Sequence, residues 1–160
     1  MKRFKCVFFV SFVSFVSFVS CGKEEVVDSI PSRQVYFTVD VRNRDNHLAG
    51  SGNYLMFTSP RLAEDKIGYS GLLVVASPNL VSGSNYYNLY AFDLCCPYEK
   101  EEHTKVTPLD DGTARCSKCG SRFNIIDGTG AVKTGPAENR LQIYPTKVLD
   151  ANNGLFLIYR

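Results

Sequence analysis

Residues 90–99 read Tyr-Ala-Phe-Asp-Leu-Cys-Cys-Pro-Tyr-Glu, and residues 116–124 read Cys-Ser-Lys-Cys-Gly-Ser-Arg-Phe-Asn. In both stretches, cysteines follow a run with the composition of a strand. A Cys-x-x-Cys-Gly turn, here Cys116 to Gly120, places two sulfur atoms on one side of a tight turn. If the loop that carries Cys95 and Cys96 faces this turn, the sulfurs can form a tetrahedral site of the kind used by zinc and by iron–sulfur clusters. The two stretches therefore predict a fold in which two loops meet around a cysteine site.

The chain beyond residue 32 consists of short runs rich in β-branched and aromatic residues, separated by Gly, Pro and Asn. Residues 71–76 are continuously apolar, as expected for a strand buried on both faces, and Asn153-Gly154 is a strong hairpin signal before a strand at residues 155–159. Only residues 60–66 predict a helical turn. Further strands are predicted at residues 35–41, 54–58, 89–94, 106–107, 113–115, 123–126, 131–133 and 141–144. The pattern predicts an all-β fold, an antiparallel sandwich or small barrel.

The first 32 residues have the composition of an export signal followed by a tether. Lys2, Arg3 and Lys5 precede an apolar run, broken by serines, that is too short to span a bilayer as a permanent anchor. The stretch Phe18-Val19-Ser20-Cys21-Gly22 resembles the lipobox cut by lipoprotein signal peptidase, so Cys21 is the predicted lipidation site. We predict a signal peptide over residues 1–20, a lipidated tether over residues 21–32 and one β domain over residues 33–160.

The composition narrows the function classes. The chain has 160 residues, a formal net charge of +2 and six cysteines. This length allows one domain of ordinary size, and the charge is too small to predict a nucleic-acid partner. Cys6 is expected to leave with the signal and Cys21 to carry lipid. Four cysteines then remain for a site in the folded domain: Cys95, Cys96, Cys116 and Cys119.

The two cysteine stretches resemble the cluster-binding loops of Rieske ferredoxin domains. Residues 90–98 are similar to the family pattern Tyr-Ala-x-Asp-x-x-Cys-Pro-His, and residues 116–124 to Cys-Pro-x-His-Gly-x-x-Phe-Asp. Later glycine turns and residues 141–145 are also similar, so the resemblance covers roughly residues 68–159. It implies a Rieske-like all-β domain with a two-loop, cysteine-containing subdomain that transfers electrons. The two histidine positions of the family, however, hold Tyr98 and Cys119, which excludes a His₂Cys₂ Rieske centre.

The sequence leaves four occupants of the site open. Cys95, Cys96, Cys116 and Cys119 would supply an all-thiolate [2Fe–2S] cluster, although adjacent residues of an extended segment point to opposite sides. Zinc would be held by Cys96, Cys116 and Cys119, with Cys95 or His103 as the fourth ligand. Because exported proteins meet an oxidising environment, disulfides such as Cys96–Cys119 or Cys95–Cys116 are a third alternative that needs no cofactor. In the fourth, the cysteines are only small buried apolar residues.

Two classes of function follow from these observations. One is an electron-transfer protein, lipid-anchored at Cys21 in the cell envelope beside a redox partner protein. The other is a non-catalytic binding or structural module, with zinc or disulfides at the former cluster site and tyrosines such as Tyr98 at an interface with another envelope protein. No Ser-His-Asp set, paired carboxylates or phosphate-binding glycine loop points to an enzyme. The expected location is the outer membrane, on its periplasmic face or at the cell surface.

Overall fold

The computed structural model describes residues 29–160, which form twelve β-strands and one 3-10 turn at Asn46–Ala49. The predicted signal peptide and Cys21 lie outside the described residues. Ser29 and Ile30, in the stretch predicted as a tether, are buried. The strands are β1 Val35–Asp40, β2 Tyr54–Phe57, β3 Lys66–Ile67, β4 Leu72–Leu80, β5 Tyr87–Asp93, β6 Val106–Pro108, β7 Thr113–Cys116, β8 Arg122–Asn124, β9 Val132–Thr134, β10 Ile143–Tyr144, β11 Thr146–Asp150 and β12 Leu155–Tyr159.

The described strands form three antiparallel sheets of four strands each. The terminal sheet has the order β11-β12-β1-β3 and joins the two ends of the domain. The central sheet has the order β10-β5-β4-β2. The cysteine sheet, which carries Cys116, has the order β6-β7-β8-β9. The sheets therefore combine strands that are distant in sequence, except in the cysteine sheet, where four consecutive strands pair as neighbours.

The central sheet is covered on both faces because its longest strand is apolar on both. In β4, Leu72, Val74 and Ala76 contribute to a core shared with the terminal sheet. Leu73 and Val75, which point the opposite way, contribute to a second core shared with the cysteine sheet. The continuous apolar run at residues 71–76 thus reflects a strand between two layers, as predicted.

The second core contains the candidate site. Cys96 and Cys116 are among its buried members, and Cys119 packs against it from a partly exposed position. Phe92 of the central sheet and Phe123 of the cysteine sheet fill the space between the two layers. Folding of the cysteine sheet onto the central sheet therefore brings the two cysteine loops together.

The all-β prediction is confirmed, with two local differences. The hairpin at Asn153-Gly154 and strand β12 form as predicted, but their partner β11 was not predicted, because its residues alternate only between half-buried and exposed. The helical turn predicted at residues 60–66 does not form: residues 60–65 make an irregular turn, in which the Asp65 carboxylate accepts hydrogen bonds from the N–H groups of Arg61 and Leu62 at 2.8 and 2.9 Å, and Lys66 begins β3. Within residues 29–160, no helix has the length and apolar character needed to cross a bilayer.

Candidate metal centre

Backbone pairing between its two ends closes the base of the first loop, residues 94–105. Cys95 forms an isolated antiparallel bridge with Lys105, and the N–H of Cys96 donates to the carbonyl of Thr104 at 3.1 Å. The N–H of Lys100 donates a hydrogen bond to the carbonyl of Cys96 at 2.9 Å. Lys100 has φ of 55°, a value that few residues other than glycine adopt. This tight return keeps Cys96 at the rim of the second core, with its side chain directed inward.

The second loop, residues 116–121, is a tight turn at the end of β7. The N–H of Gly120 donates to the carbonyl of Cys116 at 3.0 Å, and the N–H of Cys116 donates to the carbonyl of Ser121 at 2.9 Å. Gly120 has φ of +76°, where a side chain is strained, so glycine is required for the chain to reverse here. The turn places Cys116 and Cys119 on the same side, as the Cys-x-x-Cys-Gly motif predicts.

Three of the four predicted site cysteines meet. The Sγ atoms of Cys96, Cys116 and Cys119 all lie within 4.8 Å of one another, and those of Cys96 and Cys119 are 3.6 Å apart. In tetrahedral zinc sites the Zn–S distance is about 2.3 Å, so two sulfurs on one ion are about 3.8 Å apart. The 3.6 Å between Cys96 and Cys119 matches one edge of such a tetrahedron, and the Sγ of Cys116 lies within 4.8 Å of both.

Cys95 does not join this group. Its Sγ is buried beside the carbonyl oxygens of Cys96 and Glu101, 3.5 Å from each. Successive side chains of an extended segment point to opposite sides, which explains why Cys95 and Cys96 face different surroundings. His103, the other predicted fourth ligand, is exposed in the first loop and also lies outside the three-sulfur group.

The thiol pKa values of Cys96 and Cys119 are shifted in opposite directions. Burial raises the pKa of Cys96 to about 12, and the neighbouring thiols add to that shift. At Cys119 burial acts in the same direction, but hydrogen bonds from Ser121 and the neighbouring thiols outweigh it and lower the pKa. Burial also raises the pKa of Cys95 to about 11. Cys119 is therefore a better thiolate donor than Cys96, and thiolate is the form that binds metal.

Ser121 fixes the position of the Cys119 sulfur. Its Oγ lies 3.2 Å from Cys119 Sγ and accepts a hydrogen bond from the N–H of Ala137 at 3.0 Å. Gly135 approaches so closely that a Cβ there would lie 2.4 Å from the Ser121 Cα. The segment after β9 therefore supports the second loop from behind.

An ionic tie joins the outer edges of the two loops. Lys118 Nζ lies 2.9 Å from Glu99 Oε2 and 2.8 Å from both carboxylate oxygens of Glu101. The two glutamates belong to the first loop and Lys118 to the second. The pKa of Glu101 is lowered mainly by its hydrogen bond with Lys118 and, to a smaller extent, by its hydrogen bond with Thr104. Charged residues in a polar loop carry no sequence signal of their partners, so this tie could not be predicted from the sequence.

Asp93 organises the base of the first loop from inside the protein. Its buried carboxylate accepts hydrogen bonds from the N–H groups of Tyr69, Ser70 and Cys95 at 2.7, 3.1 and 2.8 Å, and from the Tyr144 hydroxyl at 2.8 Å. Burial raises the pKa of Asp93, while these hydrogen bonds oppose the shift. The signal in the sequence that could identify Asp93 is its position as an acidic residue at the end of an apolar strand.

Comparison with known proteins gives a likeness among solved structures. No family model matches the chain, and no curated protein matches it. Among solved structures, the chain is similar to a Rieske protein. That protein is the cyanobacterial plasma membrane Rieske protein PetC3 from Synechocystis PCC 6803, with 23% sequence identity and a TM-score of 0.46 over 76% of this chain and 98% of that one. The function proposed below rests on the arrangement of the three sulfur atoms and not on this likeness.

Proposed function

We propose that this chain is a lipid-anchored envelope protein whose domain binds one metal ion, zinc, through Cys96, Cys116 and Cys119. The observation that carries the proposal is the convergence of three Sγ atoms within 4.8 Å. Zinc suits the site because it prefers thiolates and demands only a tetrahedral arrangement. The fourth position would be filled from outside this group of three, on the side where Cys119 is partly exposed.

The role of such an ion would be structural. Cys96 belongs to the first loop, and Cys116 and Cys119 belong to the second, so one ion would cross-link loops separated by β6 and β7. Metal binding contributes directly to folding free energy when the ligands come together only in the folded state. The domain would then act as a binding module that presents its two loops at the envelope, with Tyr98 exposed in the first loop.

Metal analysis of the full chain tests this function. Protein purified from membranes under reducing, anaerobic conditions should be colourless and contain about one zinc ion per chain, the stoichiometry of one closed site. The Cys119→Ser variant should lose most of the zinc, whereas Cys95→Ser, a matched loss of one neighbouring thiol, should retain it. Zinc bound equally well by Cys119→Ser, or lost equally in both variants, would contradict the three-cysteine assignment.

A [2Fe–2S] cluster for electron transfer is the second candidate. It is favoured by the presence of a fourth thiol, that of the buried Cys95, which is adjacent to Cys96 in the sequence. A cluster needs two sulfurs on each of two irons, so Cys95 would have to turn away from the Glu101 carbonyl and into the site. A coloured protein that contains iron and sulfide, is bleached by dithionite and is lost in Cys95→Ser would establish this candidate and overturn zinc.

The disulfide alternative is tested with the same material. Cys96 Sγ and Cys119 Sγ are 3.6 Å apart, well beyond the length of about 2.05 Å of a disulfide but close enough for a small movement to form one. Two results together would contradict the metal site and support a disulfide-linked module. They are metal-free protein with fewer than four reactive thiols under denaturant, and a peptide that contains a Cys96–Cys119 disulfide.

A further inference from the structure

The outer face of the terminal sheet carries an unusual row of exposed side chains. Tyr36 of β1 is directly opposite Tyr159 of β12 on one side and Lys66 of β3 on the other. Directly opposite residues of antiparallel strands project from the same face, so these three side chains are neighbours. Tyr36 is 50% exposed and Tyr159 is 42% exposed. We call Lys66, Tyr36, Tyr159, Leu157 and Lys147 the terminal face.

The terminal face continues with apolar and basic residues toward the middle of the sheet. Leu157 of β12 is opposite Lys147 of β11, and both alternate with residues that point into the core. The acidic residues of the same sheet, Asp40 and Asp150, are both opposite Leu155 at the far end. The face is thus aromatic, apolar and basic where β1 begins and acidic only at the opposite end. Exposed tyrosines and a half-buried leucine flanked by lysines resemble in composition protein surfaces that lie in a membrane interface.

The chain itself would bring this face to a membrane. If Cys21 carries lipid, eight residue steps separate it from Ser29, and an extended chain spans at most about 3.6 Å per residue, or roughly 30 Å. From Ser29 the chain runs into β1, which contributes Tyr36 in its second position. A short tether gives a weakly binding surface a high effective concentration at the bilayer. The terminal face belongs to the sheet into which the tether leads, so the anchor would keep this sheet close to the lipid.

The layer order determines where the cysteine site then lies. The terminal sheet packs on one face of the central sheet through the first core, and the cysteine sheet packs on the other face through the second. Packed sheets are about 10 Å apart, so the cysteine sheet lies on the order of 20 Å beyond the terminal sheet. A domain that rested on its terminal face would hold its metal centre away from the membrane, toward a partner.

We propose that the terminal face docks on the surface of a lipid bilayer that contains anionic headgroups. The inference rests on the proposed lipid anchor at Cys21. Tyr36 and Tyr159 enter the interfacial region, Leu157 adds apolar contact, and Lys66 and Lys147 face the phosphate groups. The anchor confines the chain to the membrane, and docking of this face orients it.

Single tryptophan reporters test the orientation, because the chain contains no tryptophan. The full chain, carrying Tyr159→Trp, is reconstituted in vesicles of phosphatidylcholine and phosphatidylglycerol with brominated acyl chains. We expect a blue shift and loss of emission for Tyr159→Trp. The matched control is Met56→Trp, a 46% exposed position on β2, the strand at one edge of the central sheet, whose emission should not change.

The contribution of the lysine side chains to docking is tested with Lys66→Gln in the Tyr159→Trp background. One lysine near an anionic surface contributes about 1 kcal/mol, so the ratio of docked to undocked protein should fall about fivefold. Lys133→Gln, an exposed lysine of β9 in the cysteine sheet, is the matched control and should leave the ratio unchanged. Equal effects of the two substitutions would overturn the assignment of this face.

The remaining outcomes separate docking from anchoring. Mass spectrometry that finds acyl chains on Cys21, together with equal quenching at positions 159 and 56, would overturn docking and leave the anchor in place. An unmodified Cys21 would overturn the anchor and, with it, the docking inference. A dimer in light scattering without vesicles that is lost in Tyr36→Ser would identify a second copy of this chain, and not lipid, as the occupant of the face.

Discussion

At the scale of single residues, the site depends on side chains whose role is set by their surroundings. Cys95 and Cys96 are adjacent and chemically identical, yet one faces the carbonyl of Glu101 and the other faces two further thiols. Ser121 and Asp93 act indirectly, by positioning Cys119 and the first loop. Cys95 and Cys96 are therefore distinguished by the direction of their side chains and not by residue type.

Asp93 gives a prediction at this scale. Asp93→Asn should lower the free energy of unfolding by about 3 kcal/mol, because hydrogen bonds to a buried carboxylate contribute about 1.5–3 kcal/mol each and an amide nitrogen cannot accept them. Urea unfolding of the metal-free protein measures the change.

The control for Asp93 is Asp127→Asn. Asp127 is exposed and accepts hydrogen bonds only within its own turn, from the N–H and hydroxyl of Thr129. We expect it to cost less than about 1 kcal/mol, as surface substitutions do. If both variants unfolded at the same urea concentration, Asp93 would not organise the loop as described.

At the scale of elements, the two loops are held together by three kinds of contact. They share the apolar second core, they bring three thiols together, and Lys118 ties their outer edges to Glu99 and Glu101. The tie is on the surface, where ion pairs contribute little to global stability. Its effect is therefore expected on the local opening of the loops.

Lys118→Met tests this local effect. We expect the metal-free thiols to react faster with a disulfide reagent, while the unfolding midpoint in urea changes little. Raising the salt concentration should accelerate the parent protein toward the rate of the variant, because salt screens exposed ion pairs. Lys133→Met, which removes an exposed lysine from β9 of the same sheet, should react at the parent rate. An unchanged rate in Lys118→Met would show that the tie does not close the site.

At the scale of the whole molecule, the layer order separates the site from β1 and β12, the first and last strands of the described residues. The first core joins the terminal and central sheets without any cysteine, whereas the second core contains Cys96 and Cys116, with Cys119 packed against it. Opening of the proposed metal site would therefore leave the packing of the first core in place. The same order places the terminal face and the cysteine site on opposite sides of the central sheet.

Metal removal tests this separation. Treatment with a chelator should increase amide hydrogen exchange at residues 94–105 and 116–121, because these loops lose their cross-link and open locally. Exchange in β1 and β12 should remain unchanged, since their hydrogen bonds belong to the terminal sheet. Uniform loss of protection across both cores would show instead that the ion holds the whole domain together.

Local sequence signals are sufficient to predict the fold class and the geometry of the second loop. Alternation, β-branched content and turn residues are local signals, and they predicted the all-β architecture, the doubly buried run at residues 71–76 and the Asn153-Gly154 hairpin. The Cys-x-x-Cys-Gly spacing also sufficed to place Cys116 and Cys119 on one side, because the reversal at Gly120 is a property of five consecutive residues.

Which of Cys95 and Cys96 joins Cys116 and Cys119 depends on tertiary packing. Cys95 and Cys96 share one local environment in sequence, and which of them points inward depends on how the first loop pairs with Lys105 and Thr104 and packs on the central sheet. Strand β3, which pairs with β1, the tie at Lys118 and the terminal face likewise arise from partners outside their own stretch of sequence. Long-range pairing selects one arrangement among several that local preferences allow, and this is why these features could not be predicted from the sequence.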